Sequence, residues 1–374
     1  MSTVAPRMLA VLHVSQPTEA GVARIAADLA RGQVERGWRV AVASPAAGAL
    51  PEWARAAGAT HLDWAASRAP GPTVGAEVRR LRRCIESFRP DVLHLHSSKA
   101  GLAGRLLTRG RSPAIFEPNA WSFEALTGPA AAAARVWERR GARWCDAIVC
   151  VSEAERDLGV AAGIRAAWRV IPNGVDLEML MPATAQDRSR ARAELGIEDV
   201  PTVVCVGRLS RQKGQDWLLD AWPGVVRRVA NARLYLVGDG PERQSLEAHS
   251  VPAVRFVGQR DDVPKWLAAS DVVVMPSRWE GCSLAMLEAM ARARSVVATD
   301  VSGAREAIDG DAGAVITIED ATALTAALAD RLLDPSLVDD EGRAGRARME
   351  ERHDLRATED AIARLYGEVL AARS

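Results

Sequence analysis

The feature that most restricts how this chain can fold is an alternation. Short runs rich in valine and isoleucine recur along its length, separated by longer amphipathic stretches. Runs that are apolar throughout are strands covered on both faces, and the stretches between them have the length of crossover helices, so the pattern predicts parallel sheets. Strands are expected at residues 8–14, 39–43, 91–95, 147–151, 202–206, 233–237, 254–257, 271–275 and 295–298. They fall into an earlier and a later group. Between the groups, Ile171-Pro172-Asn173-Gly174-Val175-Asp176 carries turn signals and is followed by Met181-Pro182 and an arginine-rich helix ending near Gly196, which places a linker there. At 374 residues the chain is too long for one ordinary core and suits two. The expected division is 1–176, 177–355 and a final amphipathic helix in 356–374.

Composition removes several classes of function. Lys plus Arg equals Asp plus Glu at 48 each, so no global field recruits nucleic acid. The five cysteines, Cys84, Cys145, Cys150, Cys205 and Cys282, are scattered without a CxxC pair, which argues against a disulfide framework or a zinc site and fits a reducing cytoplasm. No stretch approaches the roughly 18 apolar residues that span a bilayer, so a cytoplasmic location is expected, the cytoplasmic face of a membrane being the other setting. Lysine occurs only at Lys99, Lys213 and Lys265, which directs attention to sites where a compact point charge is required.

The residues that carry chemistry lie mainly in the later half. Glu280-Gly281-Cys282-Ser283-Leu284-Ala285-Met286-Leu287-Glu288 follows an expected strand and a Pro276-Ser277 turn. A helix starting near Ser283 would leave the backbone N–H groups of residues 281–284 free to attract a phosphate. Glu280 then lies before the helix, beside a bound sugar, and Glu288 about one turn in, able to take two ribose hydroxyls. The second constellation is Val206-Gly207-Arg208-Leu209-Ser210-Arg211-Gln212-Lys213-Gly214. Arg208 and Lys213 on a glycine-bounded loop can neutralise a diphosphate whose charge rises as a glycosidic bond breaks. The plain alternatives are a helix start with acidic residues near its positive end and a solvated basic loop.

Taken with Gly21-Val22-Ala23-Arg24, Asp91-Val92-Leu93-His94-Leu95-His96-Ser97-Ser98-Lys99-Ala100-Gly101, Val151-Ser152-Glu153, Val237-Gly238-Asp239-Gly240-Pro241 and Phe256-Val257-Gly258, these motifs resemble the family-4 retaining glycosyltransferases over nearly the whole chain. The resemblance implies an α/β protein of the GT-B architecture, two Rossmann-like doubly wound domains facing each other across a cleft, with the final helix crossing back onto the first domain. It implies that Arg208, Lys213 and Glu280 are catalytic and that Gly21, Gly207, Gly258, Gly281, Cys282, Ser283, Leu284 and Glu288 bind the donor. His96, Lys99 and Asn119 are expected on the sugar or acceptor side. The implied reaction moves a sugar, with retention, from a nucleoside diphosphate sugar to a hydroxyl of a small-molecule, glycan or lipid-linked acceptor. Uridine is expected as the base and guanosine second. No cofactor or metal is expected, because Arg208 and Lys213 take the place of a divalent ion, and the sugar nucleotide is a substrate.

Two departures from the family pattern stand out. Where members commonly carry His in a Pro-His-Gly/Ala-aromatic segment, this chain has Glu117-Pro118-Asn119-Ala120-Trp121, and asparagine hydrogen-bonds but shuttles no proton. A frequent Gly-Gly pair is Ala20-Gly21 here, which narrows the space near the phosphates. His94 and His96 alternate on a strand and share a face, but no third ligand lies nearby in sequence, so polar strand-end positions are expected and a metal is not. Ser152-Glu153-Ala154-Glu155 reads as a helix capping box. Arg79, Arg80, Arg82 and Arg83 read as a solvated helix face, an anionic lipid surface being the other reading. An epimerase or phosphorylase on related domains, and a sugar-binding regulator, remain open; an oxidoreductase does not fit, since Gly238-Asp239-Gly240 lacks the third glycine of GxGxxG.

Overall fold

The computed structural model describes residues 8–68, 71–249, 251–308 and 310–374; the first seven residues of the expected first domain lie outside them. Contacts divide the chain into two compact units, one of Met1–Pro172 with Thr358–Ser374 and one of Asn173–Ala357. The division falls inside the turn-rich motif, ahead of Asp176.

The first unit is built on seven strands: β1 (Ala10–Ser15), β2 (Arg39–Ser44), β3 (Thr60–Asp63), β4 (Val92–His96), β5 (Ala114–Glu117), β6 (Ala147–Cys150) and β7 (Trp168–Val170). They lie in the order β3-β2-β1-β4-β5-β6-β7, all parallel. The second has β8 (Thr202–Val206), β9 (Arg233–Val237), β10 (Val254–Gly258), β11 (Val272–Met275), β12 (Ser295–Thr299) and β13 (Gly313–Ile316). Their order is β10-β9-β8-β11-β12-β13, again parallel. Both sheets reverse direction beside their first strand, the topology of doubly wound α/β domains.

All nine expected strands form. Sequence reading missed β3, β5, β7 and β13. Three of them are edge strands: Thr-His-Leu-Asp and Trp-Arg-Val lack the continuous apolar run that burial on both faces imposes, and Gly-Ala-Val-Ile is apolar but only four residues long.

Successive strand residues face opposite sides, so each sheet supplies two core layers. In the first unit Leu12, Leu93, Leu95 and Phe116 pack on one side. On the other, Val40 and Val42 meet Ala23, Ala26 and Ala30 of the helix Ala20–Glu35, where the small side chains bring helix and sheet close. The second core gathers Trp217, Leu218 and Trp222 of the helix Gln215–Arg228 against Leu234, Leu236, Val272 and Val274. The final helix, Leu355–Ala371, buries Ile362, Leu365 and Tyr366 and from Thr358 onward belongs to the first unit. All five cysteines are free. Among the described residues no helix is long and apolar enough to cross a membrane.

Candidate active site

In the second unit the site is assembled from loops at the carboxyl ends of β8, β9 and β11. After β8 the chain passes Gly207 and Arg208, makes a short 3-10 turn at Arg211–Lys213, and enters the helix Gln215–Arg228 through Gly214. Gly214 is left-handed at φ 69°, and a Cβ there would lie 2.0 Å from the Pro276 carbonyl oxygen, so only glycine lets this loop meet the one after β11. Gly238, at φ 142°, and Gly240 allow a similar approach of the loop after β9, since Cβ atoms there would meet Gly207 O and Leu209 O at 2.1 and 2.3 Å.

Lys213 Nζ donates to the Glu280 carboxylate, and Ser277 Oγ donates to the same oxygen at 2.8 Å. Arg278 clamps the loop from behind, donating to both carboxylate oxygens of Asp216 at 2.9 and 2.8 Å and to the Arg211 carbonyl at 2.8 Å. The Arg208 side chain, half-buried, has no ion pair or hydrogen bond among the described residues and is available to a ligand.

The helix after Glu280 runs Leu284–Ala291, with Ser283 as N-cap and no side chain capping it, so its first N–H groups keep their capacity for an anion. Gly281, Cys282, Ser283 and Leu284 are buried and Glu288 half-buried. Asn173 Nδ2 donates to the Cys282 carbonyl at 3.2 Å, His353 Nδ1 lies 2.8 Å from the Asn173 carbonyl, and a Cβ on Gly303 would meet Gly281 O at 2.6 Å. Sequence reading took Asn173 for a turn residue only; its buried amide in fact holds the glutamate loop. Gly258, left-handed at φ 75°, accepts from Gly238 N–H at 2.8 Å, and so ties the ends of β10 and β9.

In the first unit, Ala20 (φ 60°), Ser97 (φ 64°), Asn119 (φ 52°) and Ala120 (φ 83°) are left-handed. They follow β1, β4 and β5, which are neighbours in the sheet. Each such residue costs about 1–3 kcal/mol, strain that clusters at functional sites. Gly21 lies in the first turn of the helix Ala20–Glu35, whose N-cap Glu19 makes no capping bond.

Two residues expected on the sugar or acceptor side are buried. Lys99 is buried and paired at 2.8 Å with the buried Glu77. Burial works against the Glu77 carboxylate, but Lys99, Ser67 and Thr73 outweigh it and hold its pKa at about 2. Lys99 holds one oxygen of Glu77, whose other oxygen accepts from Ser67 and Thr73 and so fixes that segment. His96 is also fully buried. The register of β1 on β4 sets His13 beside His94, so a third histidine does join the pair, and one ring nitrogen from each lies within 4.8 Å of the others.

Four of the six ring nitrogens are hydrogen-bonded, while His94 Nε2 and His96 Nδ1 have, among the described residues, only the Glu117 carboxylate near them, at 3.0 and 3.7 Å, outside hydrogen-bond geometry. His13 Nδ1 lies 2.9 Å from His96 Nε2, and His13 Nε2 lies 2.9 Å from Gln33 Oε1. Gln33 Nε2 donates to Tyr366 Oη at 3.3 Å, Tyr366 Oη lies 2.8 Å from His94 Nδ1, and His94 Nε2 lies 3.0 Å from Glu117 Oε2. The cluster is a largely hydrogen-bonded core, with the rings kept neutral: burial, then His94, lowers His13 to about 3, burial lowers His94 to about 3, and burial, then His94, takes His96 well below its usual value.

The capping box forms in half. Ser152 Oγ accepts from Glu155 N–H at 3.1 Å. The Glu155 carboxyl instead accepts from Val151 N–H at 2.8 Å and from Ala120 N–H at 2.6 Å. Glu155 thus braces the strained turn beside Asn119. Burial raises its pKa to about 8. Arg79, Arg80, Arg82 and Arg83 are exposed on the helix Val74–Phe88.

The family model described as Glycosyltransferase Family 4 matches residues 20–179, and that described as Glycosyl transferases group 1 matches residues 200–334. A GDP-mannose-dependent alpha-(1-6)-phosphatidylinositol monomannoside mannosyltransferase of Mycobacterium tuberculosis is 32% identical, over 74% of this chain and 75% of its own length. The chain belongs to the family-4-type glycosyltransferases. The protein of the same description from Mycolicibacterium smegmatis is 36% identical over 57% of this chain, and the monoacylated-substrate counterpart of Corynebacterium glutamicum 34% over 51%. Those two matches span 60% and 53% of the relatives' own lengths. Among solved structures, Anabaena HepE in complex with UDP and glucose superposes with a TM-score of 0.84 at 22% identity, covering 96% of this chain and all of that one. Sucrose-phosphate synthase from Thermosynechococcus elongatus gives 0.82 at 20% identity, over 98% and 100%. These neighbours share the GT-B fold with this family member.

Proposed function

We propose that this protein transfers a mannosyl group from GDP-mannose, with retention and without a metal ion, to a hydroxyl of a lipid-linked glycan acceptor. The observation that carries this reading is the meeting of Lys213 and Glu280 directly before the uncapped start of the helix Leu284–Ala291. Here a cation, free N–H groups and a carboxylate converge on the space a sugar diphosphate needs. The choice of guanosine over the expected uridine, and of mannose, rests on the mycobacterial relative that matches over three quarters of its own length.

In this reading Arg208 and Lys213 hold the diphosphate, Glu288 the ribose and Glu280 the sugar. The bond between the anomeric carbon and the diphosphate oxygen breaks as the acceptor oxygen bonds that carbon on the same face. The acceptor proton passes to the leaving phosphate. Charge grows on the diphosphate during the step, and Arg208, Lys213 and the helix start stabilise it there. Incubation with radiolabelled GDP-mannose and phosphatidylinositol monomannoside in EDTA tests the reading. A labelled glycolipid, α-configured by proton NMR, is expected. Product formed without any acceptor would favour an epimerase instead, and dependence on added inorganic phosphate a phosphorylase.

A further inference from the structure

We propose that Glu117 is a positioning residue that fixes Asn119 as a hydrogen-bond acceptor, so that the first unit takes a hydroxyl-bearing ligand at this point and turns away phosphate or carboxylate. The identity of that ligand as a substrate rests on the glycosyl-transfer reading.

Asn119 Nδ2 donates to Glu117 Oε1 at 2.8 Å, and His94 Nε2 faces Glu117 Oε2 at 3.0 Å, obliquely. A lone pair on His94 Nε2 would be repelled by that oxygen, so the proton sits on Nε2 and Nδ1 accepts. Tyr366 Oη therefore donates to His94 Nδ1, Gln33 Nε2 donates to Tyr366, Gln33 Oε1 accepts from His13 Nε2, and His13 Nδ1 accepts from His96 Nε2. The hydrogen bonds thus run in one direction from His96 to His94, whose Nε2–H faces the Glu117 carboxylate without hydrogen-bond geometry, and reversing them would set a lone pair against that carboxylate.

Glu117 is 2% exposed and ends β5, where its register partner is His96. Asn119, two residues on, is half-buried, and its amide oxygen has no partner among the described residues. With Nδ2 drawn inward, Oδ1 is the atom that remains for a ligand. Turning the amide over would set Oδ1 against the Glu117 carboxylate, and Glu155 Oε1, holding Ala120 N–H at 2.6 Å in the left-handed turn, keeps the segment in place. Such an oxygen accepts from a sugar or polyol hydroxyl and repels an anion. Either substrate of a transfer reaction supplies hydroxyl groups.

The test uses the full-length protein, Glu117→Gln and the double variant Glu117→Gln/Asn119→Asp. In the single variant the glutamine keeps its oxygen toward His94 N–H, which leaves its Nε2 facing Asn119 and forces that amide to turn over. In the double variant one oxygen of the introduced aspartate accepts from the glutamine and the other restores an outward acceptor. Each protein is titrated calorimetrically with GDP, with GDP-mannose and with detergent-dispersed phosphatidylinositol monomannoside. Equal GDP affinity is expected in all three. One of the two mannose-bearing probes should bind about tenfold more weakly to the single variant and recover in the double. The probe that shifts identifies donor or acceptor as the ligand. Unchanged affinity for both, or no recovery in the double variant, overturns the proposal. Absence of turnover in the unaltered protein with these shifts intact overturns only the transfer reading.

Discussion

Lys213 lies against Glu280, so an incoming diphosphate competes with a carboxylate for the ammonium it needs. Removing the lysine takes away the cation and leaves the carboxylate facing the phosphates. Arg208, which has no such partner among the described residues, loses only its own charge. Lys213→Ala and Arg208→Ala should each lower kcat by about 10²–10³, the loss that follows removal of one donor to a developing negative charge, about 3–4 kcal/mol. Turnover within a few-fold of the unaltered protein, measured at saturating donor, would remove the role of that residue. At this scale the sequence disclosed the charged pair and the glutamates, because loop, glycine and helix start are local features. It did not disclose that Lys99 pairs with Glu77, 22 positions earlier, that Asn173 holds the Cys282 carbonyl, or that Glu155 reaches Ala120. Those contacts join segments distant in sequence and carry no periodic signal.

At the scale of elements, the strands with valine and isoleucine runs were legible because such runs admit little else, while three of the four edge strands, and the short central strand β5, were not. Interstrand register was also hidden, and it is register that sets His13 beside His94 and His96 beside Glu117. The histidine cluster makes a pH prediction. An unfolded histidine titrates near 6.5, whereas His13 and His94 are held at about 3 in the fold. Below about 6.5 the unfolded chain therefore binds protons that the folded chain refuses, and stability falls as pH drops from there toward 3. Glu155 and Glu359 oppose this, since burial raises them to about 8 and about 7; their contribution is present below the unfolded carboxylate range and is lost as pH rises through it toward 7–8. Comparing His13→Asn with the unaltered protein isolates the histidine part. Thermal melts between pH 4 and 7 should show a shallower loss toward acid in the variant, and parallel curves would mean that His13 titrates normally in the fold.

At the scale of the molecule, two sheets of the same plan carry the two family-model matches, one to each part of the chain, and structural neighbours with little sequence identity cover nearly all of it. The fold was readable because it follows from strand pattern and linker placement, both repeated in each half. Donor choice was not, since base and sugar are selected by a few loop atoms on a scaffold common to many nucleotides. The most direct test of the central claim is calorimetric titration with GDP, UDP, ADP and TDP in EDTA, for the unaltered protein, Lys213→Ala and Glu288→Ala. The account predicts selective binding of GDP that persists in the chelator and weakens in both variants. Binding of none of the four, or GDP binding indifferent to both substitutions, would contradict the assignment of the second unit as the donor site.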